Sequence, residues 1–168
     1  MFDNERVLRF PISEKIFHNN NAVTWFILII TGGLVYFNLV DKKTTVGGFL
    51  MDIHIAVAVI FTFNIDRFYL MLYELFRWDM DDFRWFKNLG GYPRKFGIPF
   101  GSEETAPVGK YNAGQKIAYV IFLFSIAFEA VSGWLLYFYR AALPRDFTHL
   151  LFTWHVWLGV IVPLLVVF

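Results

Sequence analysis

Four nearly uncharged runs, each about 20 residues long, constrain this chain more than any other feature. Residues 22–40 hold no Asp, Glu, Lys or Arg; residues 47–65 hold only Asp52; residues 117–139 hold only Glu129; residues 147–168 hold none. A run of that length covers the hydrocarbon core as a helix, and in lipid only helices or closed barrels satisfy their own backbone. The expected fold class is all-α, a transmembrane four-helix bundle. The spans fall at about 22–40, 48–72, 116–139 and 147–168, with one long loop at 73–115. Residues 1–168 read as a single membrane domain.

Composition narrows the chemistry. The chain is 57% hydrophobic and 21% aromatic, values that soluble domains rarely reach. Its net charge of +1 gives no polyelectrolyte footprint, so the lipid bilayer is an expected partner and nucleic acid is not. There are no cysteines, which excludes disulfides, iron–sulfur clusters held by this chain and covalent CxxCH haem attachment. Any haem is held noncovalently, with histidine the first choice as axial ligand. Residues 1–20 are mixed in charge, contain Pro11 and lack a small-residue cleavage site, so they read as a lead-in to an uncleaved first span.

Basic residues set the orientation. The N-terminal arm and residues 67–116 carry eleven of the 15 Lys and Arg; Lys42, Lys43, Arg140 and Arg145 are the other four. Such an imbalance places the N-terminus and the long loop in the cytoplasm. The second and fourth spans then both begin at the outer face. Trp134, Tyr137 and Tyr139, together with Trp154 and Trp157, mark that boundary as an aromatic belt.

Orientation allows a test of the histidines. His54 lies about seven residues into the second span and His155 about eight into the fourth, so both sit roughly 10–12 Å below one face. Two imidazoles at equal depth on two helices meet the requirement for bis-histidine ligation of a haem iron. Intramembrane ionisable residues are rare and usually functional; the structural alternative is a pair of hydrogen-bonded histidines. Gly32, Gly33, Gly133, Gly159, Ala56 and Ala58 offer clearance for a flat macrocycle, and would equally serve close helix packing. His18 precedes the first span at the opposite face, as an interfacial residue or a ligand. His149 lies six residues before His155, on another side of the helix, and reads as a surface residue or a propionate contact. Glu129, mid-span, is costly there and reads as a proton carrier or, preferentially, as a structural hydrogen-bonder. Pro163 is expected to kink the last span.

The long loop is rich in Gly and Pro, and Trp78, Phe83, Trp85 and Phe86 within it suit a docking surface better than free solution. No internal repeat or low-complexity tract stands out. At its end, residues 109–116 read GKYNAGQK. Asn112 and Gln115 offer amide groups and Gly114 exposes backbone, a set that would grip a quinone carbonyl or simply cap a helix.

This motif, with His18, His54 and His155 in that order, resembles the cytochrome b (gamma) subunit of respiratory formate dehydrogenases over almost the whole chain. The resemblance implies a diheme four-helix protein of the bacterial cytoplasmic membrane. It implies an outer haem b on His54 and His155, and an inner haem on His18 and a histidine fourteen residues after His155. That position is the first beyond Phe168, so a C-terminal truncation one residue short of the ligand is expected. HNNN follows His18 where the family often carries His-Trp. Menaquinone would bind near the inner haem, lined by Asn112, Gly114 and Gln115. The implied partners are an iron–sulfur subunit and a molybdenum or tungsten catalytic subunit, assembled as a trimer of heterotrimers. The chain would be an electron-transfer subunit rather than a complete catalyst. Hydrogenase and thiosulfate-reductase cytochromes b are similar. A haem-free anchor or scaffold, and less so a transporter, are the rivals from other classes.

Overall fold

This computed structural model describes residues 10–65, 69–101 and 109–167. Their regular elements are all helical: α1 Ile12–Tyr36, α2 Thr45–Asn64, α3 Tyr69–Phe76, α4 Met80–Asn88, α5 Tyr92–Lys95, α6 Ala113–Tyr139 and α7 Arg145–Val167. A 3-10 turn, Leu89–Gly91, joins α4 to α5. Three of the described helices are long and apolar enough to cross a membrane: Thr45–Asn64, Ala113–Tyr139 and Arg145–Leu164.

The helix α1 is displaced from the apolar run at 22–40. It opens ten residues earlier, where the Pro11 carbonyl takes the N–H of Glu14 and of Lys15, and it carries the polar stretch from His18 to Asn21. It stops at Tyr36 because Asn38 turns left-handed (φ 55°) and the Val40 N–H bonds back to Leu34 O at 3.0 Å. An αL residue closing the last turn is a common helix stop, and Asn tolerates it. The chain then reverses. Thr44 caps α2 by accepting the Gly47 N–H at 3.1 Å, and its hydroxyl donates to Asp41 O at 2.6 Å. A Cβ at Gly47 would collide with the Asp41 carbonyl, so the turn packs on α2 only with glycine there. The result is an antiparallel hairpin, α1–α2.

A second hairpin, α6–α7, turns through residues 140–144, with the Leu143 N–H returning to Tyr139 O. The two hairpins close a ring in which α1 packs on α2 and α7, and α6 packs on α7 and α2. Each helix gives one residue to the central layer: Trp25, Phe61, Ile126 and Val162. Trp25 meets Phe61 edge-on at 5.5 Å and Phe122 at 5.1 Å.

Pro163 sits inside α7, which runs on to Val167. Proline has no N–H, so it leaves unpaired the carbonyl four residues back, on Gly159. Trp25 Nε1 donates to that carbonyl at 2.9 Å. In lipid an unmade backbone bond costs several kcal/mol, on the order given for apolar media. The indole therefore satisfies α7 and ties the hairpins together at once. On the other side Trp134 Nε1 donates to Thr62 Oγ1 at 2.9 Å.

The connection from α2 to α6 folds back on the α6 N-terminus. Asp79 and Asp82 form a capping box at the start of α4, and the Asp82 N–H holds the exposed Asp79 carboxyl below its ordinary pKa. Lys116, from the first turn of α6, donates to Asp82 Oδ2 at 2.6 Å and to Arg77 O at 2.7 Å. Both side chains of this ion pair are buried. Trp85 lies against Gly114, where an added Cβ would stand 2.7 Å from the indole. Trp78 stacks on Phe86 with 6.1 Å between centroids, while Phe83 and Phe86 face outward. Residues 66–68 of the expected second span lie outside the described residues, as does Phe168 at the expected truncation point.

Candidate functional site

Between the hairpins, on the short-turn side of the central layer, lies a cavity of about 1250 Å³. Ligand pockets usually span roughly 300–1,000 Å³, so this one admits a large ligand. Trp25 and Phe61 form its floor. His54 and His155 line it at mid-height, and Lys42, Lys43 and Arg140 stand at its mouth.

The imidazole rings face one another across this space. Their centroids are 6.5 Å apart and their planes cross at 69°. Metal–imidazole bonds run about 2 Å, so two imidazoles sharing one metal atom would have centroids roughly 6 Å apart. The pair is thus spaced for a single metal atom between them. Helix register explains the match. His54 is nine residues beyond the first residue of α2 and His155 ten beyond that of α7, so both rings sit about 14–15 Å along parallel helices from the short-turn end.

Each ring is held from behind by the other helix of its own hairpin. Thr31 Oγ1 lies 3.0 Å from His54 Nδ1, and Ser132 Oγ lies 2.9 Å from His155 Nδ1. The next residue in each case is a glycine facing the same ring. A Cβ on Gly32 would stand 3.1 Å from His54 Cε1, and one on Gly133 3.2 Å from His155 Cε1. Gly33 faces nothing within 4 Å. Glu129 breaks the parallel. Its Oε2 lies 3.0 Å from His155 Nδ1, its Oε1 is buried without a partner, and Gly159 packs against the carboxylate.

The parallel is also in the sequence. Thr31-Gly-Gly-Leu-Val-Tyr-Phe and Ser132-Gly-Trp-Leu-Leu-Tyr-Phe each end α1 or α6, and the hydroxyl precedes its histidine by 23 residues both times. The chain therefore does contain an internal repeat. Thr and Ser within a span look like filler in sequence; their spacing to each histidine is the signal.

The other expected site residues are not brought to this cavity. His18 is exposed on the polar part of α1, toward the opposite end. His149 is exposed near the start of α7. Asn112 and Gln115 cap α6 by a reciprocal box: Asn112 Oδ1 accepts the Gln115 N–H at 2.8 Å, and Gln115 Oε1 accepts the Asn112 N–H at 3.1 Å. Gly114 receives Trp85. These three lie together at the loop end. Lys42, Lys43 and Arg140, counted in sequence only as topology markers, prove to be the cationic rim of the cavity.

A family model described as prokaryotic cytochrome b561 matches residues 9–168. The chain belongs to the prokaryotic cytochrome b561 family. Comparison with curated proteins finds no match. Membership makes this b561 chain a membrane cytochrome b, an integral inner-membrane protein of electron transport whose cofactor is haem b. The geometry fits that cofactor: opposed imidazoles at single-atom spacing, a cavity of sufficient volume, and cations at its mouth for acidic substituents.

Proposed function

We propose that this cytochrome b561 chain holds a haem b between His54 and His155 and carries electrons from an iron–sulfur partner, in a formate-dehydrogenase-type complex, toward menaquinone. One observation carries the ligand assignment: the 6.5 Å separation of the two rings across the cavity. Haem b supplies a one-electron iron couple in such a site. The chain supplies the rest. His54 and His155 offer Nε2 from opposite hairpins. Lys42, Lys43 and Arg140 receive the propionates at the cavity mouth. Trp25, Phe61 and the layer below them exclude water from the inner side.

A second haem on His18 and menaquinone at Asn112, Gly114 and Gln115 belong to the same reading and rest on the resemblance at residues 109–116. The cap of α6 uses the side-chain oxygens of Asn112 and Gln115, so their amide nitrogens are the donors that a quinone carbonyl would meet. The expected partners are an iron–sulfur subunit and a molybdenum or tungsten subunit, in a higher oligomer.

A pyridine haemochrome assay on purified protein, with reduced-minus-oxidised spectra, tests the ligands. His54→Ala and His155→Ala should each remove the haem of this site. Wild-type haem content in His155→Ala would rule the assignment out. Co-purification of a formate-oxidising activity tests the partner separately.

A further inference from the structure

We infer that Thr31 and Ser132 are a matched pair of positioning residues that fix the tautomer of each haem-ligating histidine and thereby set the reduction potential. The inference rests on the bis-histidine reading given above.

The direction of each hydrogen bond follows from what lies behind the hydroxyl. Thr31 Oγ1 is 2.7 Å from Ile27 O, a carbonyl one turn earlier in α1 that can only accept. The single hydroxyl proton goes there. Toward His54 the oxygen can then offer only a lone pair, so Nδ1 must carry the ring proton. Nε2 is left bare, as an iron ligand requires. Ser132 repeats the arrangement: its hydroxyl reaches Glu129 O at 3.2 Å, and its lone pair faces His155 Nδ1. Helix carbonyl, hydroxyl and imidazole thus form a polarised chain twice, once per hairpin. Thr31 is 4% and Ser132 1% exposed, so water does not compete for either hydroxyl.

Groups that accept the outer N–H of a metal-bound imidazole orient the ring and raise its basicity. A more basic ligand favours ferric over ferrous iron. Removing the acceptor should therefore raise the potential and loosen the haem. Each ring has a further partner on its own hairpin: Glu129 Oε2 for His155 and the Leu28 backbone for His54. Both substitutions should therefore act in the same direction, each leaving one partner in place.

The test is a redox titration with low-temperature EPR on the purified haem-loaded protein. Thr31→Val keeps the shape and removes the acceptor. It is expected to raise the midpoint potential, shift the low-spin g values and lower haem affinity about tenfold. Thr31→Ser, which keeps the hydroxyl, should restore wild-type values. Ser132→Ala should shift in the same direction. If Thr31→Val does not accumulate, Thr31→Ala against Thr31→Ser gives the same comparison. An unchanged potential and EPR spectrum in the hydroxyl-free variants would overturn the inference while leaving the ligands in place. Haem retained in His54→Ala would instead overturn the ligand reading.

Discussion

Single atoms decide the geometry around the two histidines. Gly32 and Gly133 leave the rings little room to spare: a Cβ there would stand 3.1 and 3.2 Å from them, close enough that each ring would have to give by a few tenths of an ångström. A bulky residue there pushes the ring and strains its hydrogen bond. Gly133→Val should lower haem content several-fold in a haemochrome assay. Gly48→Ala, on α2 away from the cavity lining and facing open space, should leave it near wild type. Histidine depth was legible in the sequence because helical rise is constant and turns mark helix starts. The partner hydroxyls were not, because nothing in one span says which residue of its neighbour it will face. Glu129 was read as structural; it proves to share the His155 nitrogen with Ser132.

Helices here solve each other's backbone problems. Proline in α7 frees the Gly159 carbonyl, and Trp25 of α1 takes it. Trp25→Phe keeps a ring in the central layer but orphans that carbonyl, at a cost of about 1–3 kcal/mol. Thermal unfolding in detergent should show the loss. Pro163→Ala restores the helix's own N–H, so Trp25→Phe should cost much less in that background. The sequence suggested a kink at Pro163, which is the usual consequence, but could not show a remedy arriving from 134 positions away. Element boundaries were likewise only partly legible. The apolar run marks where lipid begins, whereas α1 begins at its cap, ten residues earlier.

Across the whole molecule two ends are built independently. The short-turn end holds the cavity, and the loop end holds a docked amphipathic segment pinned by Lys116 and Asp82. Lys116→Met leaves Asp82 buried without its partner, which typically costs about 3–5 kcal/mol. That change should release the segment around α4, read as faster proteolysis or hydrogen exchange over residues 79–101, with the haem spectrum unaltered. The motif at 109–116 announced this end in the sequence, but its physical role in the fold, capping α6 and seating Trp85, depends on a loop that folds back.

The ring of four helices has one more consequence. Thr31 steers His54 within the first hairpin, and Ser132 steers His155 within the second. Among the described contacts, neither half borrows anything from the other to aim its nitrogen. Each hairpin carries its own finished jaw, and a porphyrin held by His54 and His155 would close the vice by joining two parts that were machined separately.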